Sequence, residues 1–246
     1  MNEARQITAI SFDGDATLWD FERVMRHSLS ITLEELRRHV RGGAVAEFTV
    51  DTMIDIRNAV ANELKGRTVN LEEVRLQAFK RTLEFVGCAT DSLAANLNAL
   101  YLKHRFEDIE LYPDVIDVLD FLASRFTLGL ISNGNGYPER CGLPDRFSFV
   151  VFSQDVGVEK PNPAIFATAC SKAGCTPAEL LHVGDSLKTD VAGANSFGAV
   201  SVWLNRNCIE NSTDIKPDYE IQSLTDLVGI VRKHGEASNN PVGGDA

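Results

Sequence analysis

The sequence lacks any uninterrupted apolar run approaching the ~18 residues that a membrane-spanning helix requires. No apolar leader core stands between Arg5 and the first hydrophobic segment, so no secretion signal is expected. Positive charge is also scarce: 24 lysines and arginines face 35 aspartates and glutamates, a net charge of −11. Such a balance argues against a general binder of nucleic acid or of anionic membranes, and an anionic ligand would need locally concentrated positive charge. The cysteines are few and odd in number. Cys88, Cys141, Cys170, Cys175 and Cys208 are scattered and form no C-x-x-C, which points to free thiols in a reducing compartment, the cytoplasm by default. There is no Ser/His/Asp pattern, zinc spacing or internal repeat, and no G-x-G-x-x-G fingerprint, so no nucleotide cofactor is expected.

What is present divides in two. Residues 6–12 read as a short apolar strand, and four helical segments follow. The first, over 20–41, keeps Phe21, Val24, Met25, Leu29, Leu33, Leu36 and Val40 at helical spacing until Gly42-Gly43 breaks it. The second spans 49–65, the third begins at Asn70 and ends at Gly87, and the fourth starts at Thr90 or Asp91. From Tyr112-Pro113 onward the rhythm changes. Strands at 126–132, 147–153, 180–183, 199–204 and 219–221 alternate with helices at 113–124, 162–174, 188–197 and 223–234. Short apolar strands alternating with helices predict an α/β fold with a doubly wound parallel sheet. The helical stretch is then an insertion: a core of 1–18 and 109–236, an inserted α-helical cap over 19–108, and a disordered tail at 237–246.

In such sheets ligands bind beyond the carboxyl ends of the strands, where the winding reverses. Four strand ends carry polar groups: Asp13-Gly14-Asp15, Ser132-Asn133-Gly134, Lys160-Pro161 after the third strand, and Gly184-Asp185-Ser186 with Asp190 a turn later. A hydroxyl, an amide, an ammonium and several carboxylates suit a divalent cation that holds a phosphate. In this reading Asp13 attacks phosphorus and Asp15 serves as acid and then base. Ser132, Asn133 and Lys160 bind phosphoryl oxygens, Asp185 ligates the metal, and Asp190 orients Lys160 or a metal-bound water.

Four stretches, "DGDATLWD", "LISNGN", "GVEKPNPAIF" and "HVGDSLKTDVAGANSFG", resemble the four motifs of the haloacid dehalogenase superfamily, in the family's order. The resemblance covers most of the chain. It implies a Rossmann-like core with a small α-helical cap, Mg²⁺ bound by Asp13, Asp185 and the Asp15 backbone carbonyl, an aspartyl-phosphate intermediate and a small phosphate ester as substrate. Ala16 departs from the pattern, which commonly has glycine there.

Each signal alone has a plainer explanation. Acidic pairs after strands are common turn residues, and Ser-Asn-Gly is a good turn sequence. It is the ordered set that points to catalysis. Asp20 reads as a helix start, Trp19 as a hinge residue and His182 as a core histidine. Arg23, Arg26, His27, Arg57, Lys65 and Arg67 read as solvated. The Gly42-Gly43 loop is expected to hinge or to approach a ligand closely. A 2-haloacid dehalogenase, a phosphomutase and a non-catalytic binding protein of the same fold are the alternatives. Asp15 argues against the first, because a departing halide needs no proton.

Overall fold

Strand β1 (Ala9–Phe12) buries all four of its side chains, which requires cover on both faces of its sheet. The computed structural model describes residues 6–40 and 42–236; the tail expected at 237–246 lies outside the described residues. After β1 the chain enters four long helices, α1 (Phe21–His39), α2 (Val50–Leu64), α3 (Leu71–Phe85) and α4 (Asp91–Glu107). It then alternates through α5 (Val115–Ala123), β2 (Thr127–Ser132), β3 (Phe149–Phe152), the short α6 (Ser153–Val156) and α7 (Pro163–Ala173). Next come β4 (Leu180–Gly184), α8 (Ala192–Phe197), β5 (Val200–Leu204), β6 (Tyr219–Ile221) and α9 (Leu224–Glu236).

The six strands form one parallel sheet in the order β3-β2-β1-β4-β5-β6. Successive connections run outward from β1 to β3 and then restart at β4 on the other side, which opens a crevice between the ends of β1 and β4. Phe12 is level with both Leu130 and Val183, so Asp13 emerges beside Ile131 and Gly184. One face of the sheet packs Ile131, Phe149 and Val151 against Ile165, Phe166 and Ala169 of α7 and Ala194 of α8. Gly129, in the middle of β2, has a packing reason: a Cβ there would lie 2.0 Å from the Phe149 ring.

The chain separates into two compact units, one of Met1–Trp19, Leu111–Gly134 and Leu143–Ala246, the other of Asp20–Glu110 with Asn135–Gly142. In the first unit, Tyr112 N–H donates to the Leu18 carbonyl at 3.0 Å, holding the outgoing and returning chains side by side. The second unit buries Leu29, Leu33, Leu36, Met53, Leu83 and Leu97 in one apolar cluster. Its helices start where capping chemistry predicts. Asp20 accepts from the Arg23 N–H, Thr49 from Thr52, and Asn70 from Glu72 and Glu73. Buried Ser28, Thr32 and Thr82 donate to carbonyls one turn back, so their hydroxyls are satisfied.

One domain boundary is corrected. Residues 135–142, read from sequence as core, pack with the helices: Arg75 and Arg105 hold Asn135, Tyr137 packs on Phe106, and Arg140 lies over the same ring. The segment after Gly42-Gly43 is anchored beyond its glycines. Gly43–Glu47 forms a 3₁₀ turn that buries Val45, Phe48 is also buried, and the Phe48 carbonyl accepts from Arg37.

Ala16 sits at φ 62°, the left-handed region that disfavours a Cβ. This is the physical ground for glycine at that turn position. Ala16→Gly is therefore expected to raise the urea midpoint, with a gain in unfolding free energy of up to about 1 kcal/mol once the extra chain entropy of glycine is subtracted. A lowered midpoint would show that the turn carries no strain.

Candidate active site

The polar ends of β1, β2 and β4 meet at the crevice, and β1 provides the first group. Asp13 N–H donates to the Val183 carbonyl at 2.8 Å, which fixes the residue as a continuation of the ladder and leaves its buried carboxylate at the carboxyl end of the sheet. The chain then turns tightly, with the Thr17 and Leu18 N–H groups both donating to the Gly14 carbonyl. Gly14 is needed for close approach: a Cβ there would meet the Trp19 ring at 2.6 Å. The same indole donates from Nε1 to Asp15 Oδ1 at 2.7 Å. The turn thus brings Trp19 back to orient the Asp15 carboxylate. Asp15 and Ser132 flank Gly134, whose missing side chain leaves room for Asp15 Oδ2.

From β2, the Ser132 hydroxyl accepts from the Gly134 N–H at 3.0 Å. The Asn133 side chain grips the backbone of Lys160 from both sides: Oδ1 accepts from the Lys160 N–H at 2.7 Å, and Nδ2 donates to its carbonyl at 3.0 Å. This amends the expectation for Asn133. Its amide is engaged in holding Lys160, and the Asn133 backbone is held in turn by a bond from Ser153 Oγ to its carbonyl.

The Lys160 side chain is 2% exposed, and its three ammonium hydrogens have three acceptors. These are Asp13 Oδ1 at 2.7 Å, Asp190 Oδ1 at 2.6 Å and the Ile131 carbonyl at 2.8 Å. Asp190 arrives by an irregular turn. Where the sequence predicts a regular helix over 188–197, Leu187–Val191 form a single π turn before α8. Both the Asp190 and Val191 N–H groups converge on the Ser186 carbonyl. The wide turn points the Asp190 carboxylate back into the crevice, where Oδ2 accepts from the Ser186 N–H at 3.0 Å and Oδ1 from His182 Nε2 at 3.2 Å. An ionised carboxylate can only accept, so Nε2 carries the imidazole hydrogen and Nδ1 accepts from Ser11 Oγ at 2.8 Å. Gly184 makes this possible, since a Cβ there would lie 2.3 Å from the Asp190 carboxyl carbon. Asp185 is partly exposed, and its backbone carbonyl is pinned by Trp203 Nε1 at 2.8 Å.

The charges do not balance: Asp13, Asp185 and Asp190 surround one ammonium. Burial pushes the Asp13 pKa up to about 8, and the negative charges of Asp190 and Asp185 add to this against the opposing pull of Lys160. Burial likewise takes Asp185 up to about 6. Asp190 goes the other way. Burial disfavours its charge, but the Lys160 ammonium and the His182 hydrogen bond outweigh that and hold it well below the ordinary carboxylate range. Burial also disfavours the Lys160 ammonium, and the two aspartates more than offset it.

Carboxylate oxygens of Asp13, Asp185 and Asp190 all lie within 4.8 Å of one another. Both Asp190 oxygens are committed to hydrogen bonds, which leaves Asp13 and Asp185 as the oxygen donors suited to a hard cation. An electrostatic deficit on hard oxygen ligands fits Mg²⁺. Sequence reasoning missed three features here. Trp19 orients Asp15, His182 supports Asp190, and Asn133 clamps Lys160. The first had a signal, an indole four residues from the acid. The other two join residues 8 and 27 apart through tertiary contacts.

Comparison with known proteins follows this geometry. The chain matches the haloacid dehalogenase-like hydrolase family over residues 7–198. It is 31% identical over 238 residues to a glyceraldehyde 3-phosphate phosphatase of Methanopyrus kandleri, covering 92% of this chain and 98% of that protein. It is 26% identical to a pyrimidine 5'-nucleotidase of Escherichia coli, again over 92% of this chain and 98% of the relative. Among solved structures, a 2-haloacid dehalogenase of Pseudomonas syringae superposes with a TM-score of 0.77 at 29% identity, over 92% of this chain and 99% of that one. The match spans strands β1 to β4 and every strand-end residue from Asp13 to Asp190, and the chain belongs to the haloacid dehalogenase-like hydrolase family.

Proposed function

We propose that this chain hydrolyses a small phosphomonoester through a phosphoryl group carried on Asp13. The observation that carries this reading is the second acid: Asp15, two residues beyond Asp13, is oriented by the Trp19 indole. A phosphate ester expels an alkoxide, which needs a proton; a carbon–halogen bond expels a halide, which does not. This favours phosphoryl transfer over dehalogenation, despite the likeness to a solved dehalogenase. Relatives named as phosphatases and nucleotidases support the same reading.

In the proposed reaction an Asp13 carboxylate oxygen attacks phosphorus as the ester oxygen departs with the Asp15 proton. Asp15, now ionised, takes a proton from water, which attacks the aspartyl phosphate and releases inorganic phosphate and free Asp13. Lys160 fixes the Asp13 carboxylate through Oδ1 and offsets negative charge. The Ser132 hydroxyl and the Asn133 residue, through its backbone N–H, serve the phosphoryl oxygens. Asp13, Asp185 and the Asp15 backbone carbonyl would hold Mg²⁺. When bound, it neutralises the repulsion between the carboxylate and phosphate anions. We read the helical unit as the cap that selects the ester.

Three outcomes test this. Asp13→Asn should lower turnover of p-nitrophenyl phosphate in Mg²⁺ by at least about 10³-fold with an unchanged circular dichroism spectrum. Undiminished turnover, or metal-independent chloride release from 2-chloropropionate by the native chain, would overturn the reading.

With the Asp13 pKa near 8, most of the metal-free protein carries that proton at pH 7. Mg²⁺ binding should therefore release roughly one proton, measured by calorimetry in two buffers of different ionisation enthalpy. Binding without proton release would place the metal elsewhere.

The folded pKa of Asp190 is depressed, so its stabilising contribution is complete above the unfolded value near 3.9 and is lost as pH falls through the folded one. Asp190→Asn should cost roughly 1.5–3 kcal/mol at pH 7, the worth of hydrogen bonds to a charged group, and should flatten the acid limb of a urea stability profile. A profile parallel to that of the native chain would show that Asp190 does not anchor the ion cluster.

A further inference from the structure

A second cluster of metal-ligating side chains lies in the helical unit, apart from every residue given a role above. His27 stands on α1, and His104 and Asp108 stand one turn apart at the end of α4. His104 Nδ1 lies 2.8 Å and His27 Nε2 3.2 Å from the same oxygen, Asp108 Oδ2. The two imidazole rings meet edge to face with centroids 6.3 Å apart, and one ligand atom from each of the three residues falls within 4.8 Å of the others. We propose that His27, His104 and Asp108 form a binding site for a divalent transition-metal cation of the Zn²⁺ class.

The chemistry of the donors selects the ion. Two neutral imidazole nitrogens and one carboxylate oxygen suit Zn²⁺, Ni²⁺ or Cu²⁺ and are poor ligands for Mg²⁺ or Ca²⁺, which favour oxygen alone. Bonds of about 2.0–2.1 Å to a tetrahedral ion set its ligands a little over 3 Å apart, close to the two distances found here. No fixed cation competes for the anchor: among the described residues, Asp108 pairs with the two histidines and with no lysine or arginine. The Arg23 guanidinium, which lines the same cleft, is engaged by Glu110. The side chains of His27, Asp108 and His104 are 55%, 37% and 22% exposed, so an ion can enter from solvent and complete its shell with water. The cleft also carries Asp20, which adds negative charge beside His27 and Asp108. The helix register is part of the design, because residues four apart on α4 project to one side and His27 meets them from α1. A bound ion would join the first and last helices of this unit, a crosslink distinct from the phosphoryl-transfer chemistry of the sheet.

The test is calorimetric titration of the full chain with Zn²⁺ in excess Mg²⁺, so that the carboxylate site at Asp13 and Asp185 is filled. One Zn²⁺ site is expected, with affinity at least tenfold lower in His27→Ala and in His104→Ala and unchanged in Asp13→Asn. No Zn²⁺ binding, equal affinity in the histidine variants, or loss in Asp13→Asn instead would each overturn the proposal. Imidazole ¹⁵N resonances of the native chain give a second reading that needs no variant. Zn²⁺ should move the signals of His27 Nε2 and His104 Nδ1 and leave those of His39, His182 and His234 in place. The reverse pattern, or no movement, would also overturn it.

Discussion

The buried Lys160 ammonium is the interaction on which the rest of the crevice depends. Taking an amine and two carboxylates out of water costs several kcal/mol per ion unless every hydrogen and lone pair is matched. Here the ammonium has three acceptors, two of them carboxyl groups. Each acceptor belongs to a different strand or turn, so the ion cluster joins the ends of β1, β2 and β4 at one point. Around it the backbone is shaped to serve: Asn133 clamps the Lys160 peptide groups, Gly184 gives up its side chain, and the turn at 187–191 widens to aim Asp190. Removing the charge of any one member would leave the others buried and unmatched.

The same cluster is not neutral, and that imbalance connects structure to chemistry. Asp190 is satisfied by Lys160, His182 and the Ser186 N–H, and so it draws the positive charge toward itself. Asp13 is left in a dry, acidic neighbourhood that favours its protonated form. A protonated carboxyl is a poor nucleophile. On the proposed reading, a hard cation held by Asp13 and Asp185 would restore the anion and also answer the scarcity of positive charge in a chain of net −11. Asp15 accepts from the Trp19 indole and makes no bond to the ammonium, which leaves the two neighbouring acids with different partners.

Much of this was legible before any fold was known. The alternation of apolar strands with helices placed all six strands to within a few residues, and the caps at Asp20 and Asn70 followed from side-chain oxygen chemistry at helix starts. Asp13, Lys160 and Asp185 were readable as one set because parallel sheets bring their strand ends together. What escaped was lateral. Residues 135–142 carry no compositional mark of a unit change; they leave the core because Arg75 and the buried Arg105 hold Asn135 while Tyr137 and Arg140 pack on Phe106. His182 reads as one more member of a buried strand, and only the partners of its two nitrogens distinguish it. Ala16 was visible as a departure from a pattern, whereas its left-handed backbone was not.

The sequence by itself determined the periodic features, the polar residues at the strand ends and the charge deficit that calls for a cation. These depend on local spacing and composition, which are properties of the chain alone. The tertiary structure decided which oxygen each donor meets. It committed the Asn133 amide to Lys160, brought Asp190 to an ammonium and an imidazole, and set His27 beside His104 across two helices. Hydrogen bonds and ion pairs act over about 3 Å, and whether residues 27 or 77 positions apart come within that reach is a property of packing that no one-dimensional pattern records.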